Sequence, residues 1–166
     1  MKFETTAALL AERLGQALLA SRQMLVTAES CTGGGIAWLI TSIPGSSQWF
    51  ERSMVAYANA AKQELLGVSH DVLSTYGAVS EQTALAMAQG ALANSHADIG
   101  VAVTGIAGPD GGTENKPVGT VCFAWSRREG VSRSARVVLA GDRQQVREQA
   151  VLMAVQGLLD MVESGE

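Results

Sequence analysis

Ser30, Lys62 and two glycine clusters are the parts of this sequence whose types and spacing could do chemistry. Ser30 stands in AESCTGG (Ala28 to Gly34), after a short apolar run and beside a glycine turn, where a hydroxyl can lie next to backbone N–H groups. An alcohol is a poor nucleophile until a base takes its proton, and serine is also a favoured helix N-cap. Ser30 alone therefore supports nucleophile and cap equally. Lys62 is the candidate base. It falls in the first turn of a predicted helix, with Asn59 as the expected N-cap, on the face of Leu65 and Leu66. The positive helix end and an apolar neighbourhood both disfavour the ammonium, so they would supply a neutral amine near physiological pH. The competing reading is a lysine whose stem packs while its head reaches water. Tyr57, just upstream, either orients or relays that proton or is a half-buried strand aromatic.

The second glycine cluster, TGIAGPDGG (Thr104 to Gly112), ends an apolar run with residues that let backbone approach a ligand closely. Its N–H groups suit an oxyanion or a phosphate, and a purely structural loop is the alternative. Arg143 sits in the first turn of the last predicted helix, where a cation is locally unfavourable. An anionic ligand would explain it, as would pairing with Asp142 or Glu148. The sequence has no Walker A, no GxGxxG after a strand, no HExxH and no SxxK. His70 and His96 have no cysteine or carboxylate at ligand spacing, and no histidine is positioned to activate Cys31.

These residues need elements to hold them. Apolar spacing predicts an opening helix from Thr5 to Ser21, a buried strand from Met24 to Ala28, then a tight turn and a helix over Ile36 to Ile40. Phe50 to Tyr57 reads as extended, Ala60 to Leu66 as a short helix stopped by Gly67, and Ser69 with Asp71 as the start of another. Ser80 opens an Ala-rich helix to about Ala93. Ile99 to Thr104, Val118 to Trp125 and Val131 to Leu139 read as strands, the last two joined by the polar Ser126 to Gly130 turn. Asp142, with Gln145 at the capping-box position, starts a final helix. The order implies an α/β fold: one domain over residues 1–166, with helices flanking a mixed sheet in three layers.

Bulk composition narrows the partners. The 166 residues are 47% hydrophobic and 17% charged, far from the disordered corner. A net charge of -4 offers no basic field for nucleic acid. Two separated cysteines give neither a disulfide framework nor a metal knuckle. Charged Glu4, Glu12 and Arg13 interrupt the N-terminal apolar pattern, and no run reaches transmembrane length. The expected setting is cytoplasmic, with a small-molecule partner and no membrane.

Read together, AESCTGG, GSSxWFxxxxxxYxNxAKxxLLGV (Gly45 to Val68), GAVSE (Gly77 to Glu81), TGIAGPDGG, KPVGTV (Lys116 to Val121) and GDRxxVR (Gly141 to Arg147) resemble the CinA C-terminal domain family, in particular its stand-alone nicotinamide-nucleotide amidohydrolases. The likeness runs from about Leu9 to Leu159. It implies hydrolysis of the carboxamide of nicotinamide mononucleotide to nicotinate mononucleotide and ammonia, a step in pyridine nucleotide recycling, with no metal or organic cofactor. Carried over position by position, it implies Ser30 as nucleophile, Lys62 as base, Tyr57 as its helper, Thr104 and Gly105 near the reacting amide, and Arg143 near the ligand. Thr32, Gly33, Gly34 and Asn59 complete the expected substrate-binding set. Related proteins imply a homo-oligomer, a dimer by default. Ala58 and Ala60 depart from the family, standing where polar residues are common. The competing reading is a catalytically silent module that binds a phosphorylated small molecule or nucleotide.

Overall fold

The structure, a computed structural model, describes residues 3–165. The expected domain limits at residues 1 and 166 lie outside the described residues. The described chain runs α1 (Phe3–Ser21), β1 (Leu25–Glu29), α2 (Gly35–Thr41), β2 (Phe50–Val55), α3 (Asn59–Leu66), α4 (His70–Tyr76), α5 (Glu81–Ala93), β3 (Ile99–Gly105), β4 (Thr120–Arg127), β5 (Ser132–Val138) and α6 (Arg143–Ser164). A 3-10 turn at Ser46–Gln48 leads into β2. The five strands form one sheet in the order β2-β1-β3-β4-β5. β1 pairs in parallel with β2 and β3, and β4 and β5 add on in antiparallel fashion. This is the mixed, three-layer α/β sheet that the order of elements implied.

Strand alternation divides the core between two faces. Leu25, Ile99, Val101, Val103, Phe123 and Trp125 pack against α1, α2 and α6. Val26, Ala28, Ala102, Cys122 and Ala124 pack against α3, α4 and α5. Because that second face is built from small side chains, helix backbone can come close to it and to its neighbours. A Cβ on Gly90 of α5 would lie 1.8 Å from the Leu66 carbonyl oxygen of α3.

Local signals account for most ends. Ser69 and Ser80 cap α4 and α5 by accepting from Val72 N and Thr83 N. Asp142 and Gln145 form the expected capping box at α6. Four expectations are corrected. β2 stops at Val55, not Tyr57: the Ala56 N–H makes the last ladder bond, to the Glu29 carbonyl, and the chain then turns into α3. Ala58, not Asn59, occupies the N-cap of α3; Asn59 is already helical, and no side chain caps the helix. Leu65 is exposed, since Lys62 and Leu66, four residues apart, set the centre of the buried face and Leu65 falls off its edge. β4 also starts two residues later than expected, at Thr120, after Gly119 with φ 94°.

Candidate active site

β1 lies between β2 and β3, so the connections leaving its end and the end of β3 diverge. In open α/β sheets a crevice forms at such a point, beyond the carboxyl ends of the strands. Ser30 is the first residue beyond β1. Its N–H donates to the Val103 carbonyl at 2.9 Å, which extends the Glu29–Val103 register by one step and sets Ser30 beside Thr104. Ser30 is no cap: Gly34, with φ 93°, holds the N-cap position of α2. Of the two open readings, the cap is removed.

Lys62 reaches Ser30 from α3. Its Nζ lies 3.1 Å from Ser30 Oγ, 3.1 Å from the Ala56 carbonyl and 3.0 Å from the Tyr57 carbonyl. The side chain is 1% exposed, so the reading with its head in solvent is excluded. Burial pushes its pKa below the ordinary lysine value. A neutral amine has two N–H groups and one lone pair. With the two carbonyls accepting both N–H groups, the lone pair is left to face the Ser30 hydroxyl. That arrangement can take a proton from serine.

The turn after Ser30 supplies donors. The Gly33 and Gly35 N–H groups are used by the Ser30 and Thr32 carbonyls. Among the described residues, those of Thr32 and Gly34 have no hydrogen-bond partner. The Thr32 hydroxyl is also buried and unpartnered among the described residues. It borders a cavity of about 480 Å³ lined by Trp38, Leu39, Arg143, Arg147 and Val151. A buried polar atom of this kind calls for an explanation, and a ligand in the cavity is one.

The remaining expected residues fall at different places. Thr104 is buried, and its hydroxyl donates to the Ala78 carbonyl at 2.8 Å. Gly105 follows it at the end of β3, where a Cβ would lie 2.9 Å from the Thr120 carbonyl oxygen. Arg143 donates from Nη1 to the Gly108 carbonyl at 2.8 Å and from Nη2 to the Tyr57 hydroxyl at 3.2 Å. It therefore ties the glycine loop to the Tyr57 side, and among the described residues it pairs with neither Asp142 nor Glu148. Tyr57 serves Lys62 through its backbone carbonyl, while its exposed ring goes to Arg143. Asn59 is exposed, and no hydrogen bond among the described residues brings its side chain to Ser30 or Lys62.

Two residues escaped the sequence reading. Glu29 is fully buried; its carboxylate accepts from Ile36 N at 2.9 Å and Ala37 N at 3.0 Å and so anchors the start of α2. A lone acid ending a buried strand just before a helix was the signal. Arg147 donates to the Cys31 and Thr32 carbonyls, both at 3.1 Å. Its place one helical turn after Arg143 was the clue. Cys31 is buried and its thiol is pushed up to about 11 by that burial, which agrees with discounting it as a nucleophile. His70 and His96 are exposed, away from this cluster.

Fold and site together define a three-layer α/β protein with a buried serine–lysine pair at the carboxyl end of a central strand. Sequence likeness then gives the particular group: the chain belongs to the CinA C-terminal domain family, whose model matches residues 7–162. The nicotinamide-nucleotide amidohydrolase PncC of Escherichia coli (strain K12) is 51% identical over 149 residues, covering 90% of this chain and 90% of its own. The protein of the same name from Pseudomonas putida is 51% identical over 152 residues, covering 92% of this chain and 94% of its own. Among solved structures, the competence/damage inducible protein CihA from Agrobacterium tumefaciens matches with a TM-score of 0.92 at 44% identity, over 94% of this chain and 95% of that one.

Proposed function

We propose that this protein hydrolyses the carboxamide of nicotinamide mononucleotide to nicotinate mononucleotide and ammonia, in pyridine nucleotide recycling, with Ser30 as nucleophile and Lys62 as base. The observation that carries the reading is the 3.1 Å contact between a buried, pKa-lowered lysine and a serine hydroxyl, in a chain half identical to proteins named for this activity. Ser30 Oγ attacks the amide carbon while Lys62 takes its proton. Collapse of the tetrahedral intermediate breaks the C–N bond, and Lys62 returns the proton to the departing nitrogen, which leaves as ammonia. Water then attacks the Ser30 ester, giving up a proton to Lys62, and the carboxylate product departs with Ser30 regenerated. Unused N–H groups in the 31–34 turn receive the oxyanion.

Thr32, Gly33, Gly34, Thr104 and Gly105 form the walls around the reacting amide in this reading. Arg143, beside the cavity, meets the substrate phosphate, with Tyr57 holding its guanidinium. Asn59 lines the outer approach. No metal or organic cofactor takes part. The protein works as a single domain in the cytoplasm and as a homo-oligomer, a dimer by default. Among the described residues no helix is long and apolar enough to cross a membrane.

The test is ammonia release from nicotinamide mononucleotide by the parent, Ser30→Ala and Lys62→Ala, with and without a chelator. Turnover falling by about 10³-fold or more in both variants, and indifferent to chelator, is expected. A folded parent that the nucleotide stabilises against heat without releasing ammonia would replace this reading with the silent binding module. Arg143→Ala should weaken phosphate-bearing ligands far more than nicotinamide riboside; equal loss for both would remove Arg143 from the phosphate.

A further inference from the structure

Arg147 has no part in the mechanism above, yet its guanidinium grips the turn that carries the nucleophile. Nε donates to the Cys31 carbonyl and Nη2 to the Thr32 carbonyl, which also accepts from Gly35 N at 2.9 Å. The two fork positions therefore bind successive peptide oxygens. Gly33 completes the fit: it has φ 57°, and a Cβ there would lie 3.4 Å from Arg147 Nη2.

Peptide planarity converts this grip into a direction for an N–H. In a trans peptide the N–H points opposite to the C=O of the same unit. The Cys31 carbonyl is held toward α6, so the Thr32 N–H points away from α6. The core on the α6 side and the core containing α3 occupy opposite faces of the sheet. Away from α6 is thus toward the side from which Lys62 reaches Ser30. The Thr32 N–H has no partner among the described residues, whereas the N–H of the next clamped peptide, Gly33, is used by the Ser30 carbonyl.

We propose that Arg147 is the positioning residue of the oxyanion site: by holding the Cys31 and Thr32 carbonyls it aims the Thr32 N–H at the oxygen that becomes negative when Ser30 attacks. The inference rests on the reading of Ser30 as nucleophile. A cation bonded to the Cys31 carbonyl also polarises that peptide and strengthens its N–H as a donor. The effect belongs to the transition state, since the charge on the substrate oxygen develops only there. Lysine in place of Arg147 keeps the charge but cannot grip two carbonyls in one plane.

The experiment compares the parent with Arg147→Lys and Arg147→Ala, with rates expressed per folded molecule from thermal unfolding. Ammonia release from nicotinamide mononucleotide and acylation of Ser30 by p-nitrophenyl acetate, followed by mass, are both measured. Each variant should lose about 10- to 100-fold in kcat and in acylation rate, below the ~10²–10³ expected for deleting an oxyanion donor outright. KM and the affinity for nicotinate mononucleotide should stay within about twofold of the parent. Added methylguanidinium should restore part of the Arg147→Ala rate. Parent-like rates in both assays, or a loss confined to KM, would overturn the assignment. A parent that acylates rapidly, but releases no ammonia, while Arg147→Lys acylates slowly, would remove the substrate reading and keep Arg147 in its role. A parent that does neither removes both.

Discussion

The two faces of the sheet are packed under different constraints, and one of them carries the helix from which Lys62 reaches Ser30. Toward α1, α2 and α6 the sheet presents branched and aromatic side chains, and helix meets sheet through those side chains. Toward α3, α4 and α5 it presents Ala28, Ala102 and Ala124, with Gly100 so enclosed that a Cβ would lie 3.2 Å from Val26 and 3.3 Å from Leu92. On that face backbone approaches backbone: Gly90 of α5 lies against the Leu66 carbonyl of α3. Side chains can change rotamer to absorb a small error, whereas touching main chains cannot. The face that tolerates least error holds α3, and α3 carries Lys62.

The largest effect should come from the group that this tight face positions. Lys62→Met should lower kcat by about 10²–10⁴-fold, the range for a lost general base. Lys62→Arg should fall as far, because a guanidinium stays protonated at any working pH and cannot take the Ser30 proton. Parent activity should rise with pH through the lowered Lys62 pKa, as the amine becomes neutral, and both variants should lose that limb. Stability carries the same signature. Between the lowered folded-state pKa and the ordinary lysine value, the unfolded chain binds a proton that the folded chain does not, so stability rises with pH. Above the ordinary thiol value of 9.0 the sign is opposed, because Cys31 and Cys122 keep their protons to about 11 when folded. The difference between the parent and Lys62→Met in denaturant titrations therefore isolates Lys62 from the thiols and from Glu51, whose lowered pKa acts in the acid range, and a parent slope that survives in Lys62→Met would break the link between burial and basicity.

Much of this arrangement was legible in the sequence, and the parts that were not share a physical cause. Periodicity and caps gave the strands and helices, because apolar spacing and residues such as Ser69, Ser80 and Asp142 act locally. Ser30 and Lys62 were legible as an alcohol beside glycines and a lysine among leucines, and the resemblance reinforced both. What stayed hidden acts across long separations through backbone atoms. The Ala56 and Tyr57 carbonyls orient Lys62, and the Cys31 and Thr32 carbonyls receive Arg147; a carbonyl has no residue type to read. Asn59 misled for the converse reason. Its type suits an N-cap, but the turn out of β2 puts Ala58 at the cap instead.

An intermediate effect is expected from the tight face itself. Gly90→Ala gains about 1 kcal/mol in helix propensity but drives a methyl into the Leu66 carbonyl. Overpacking of this kind costs about 1–3 kcal/mol, and relief requires α3 to move away from α5. Lys62 would move with it, four residues from Leu66 and with its 3.1 Å contact to Ser30 to lose. Since displacements of about 1 Å can cost 10²-fold, a tenfold fall in kcat per folded molecule is expected. Unchanged kcat with a lowered melting temperature would show that α3 tolerates the shift, and the contrast between the faces would lose its catalytic meaning.

The smallest effect on activity should come from the matching change on the opposite face. A Cβ on Gly157 of α6 would lie 2.3 Å from the Trp125 ring, so Gly157→Ala is also an overpacked helix glycine, but its obstacle is a side chain. That ring stacks on Phe123, with centroids 5.5 Å apart and planes 5° from parallel, and its Nε1 donates to the Ala154 carbonyl at 2.9 Å. Moving it weakens both contacts, and a net loss of about 1 kcal/mol should remain after the gain in helix propensity. Denaturant unfolding should register that loss while kcat per folded molecule stays at the parent value. The comparison is strict because α6 also carries Arg147, ten residues and about 15 Å along the same helix. If Gly157→Ala lowers kcat as much as Gly90→Ala, the displacement travels along α6 to the serine turn, and the aromatic face shares in setting the site. If kcat holds while stability falls, the bulky face supports the fold and the small-residue face alone sets the distance between Lys62 and Ser30.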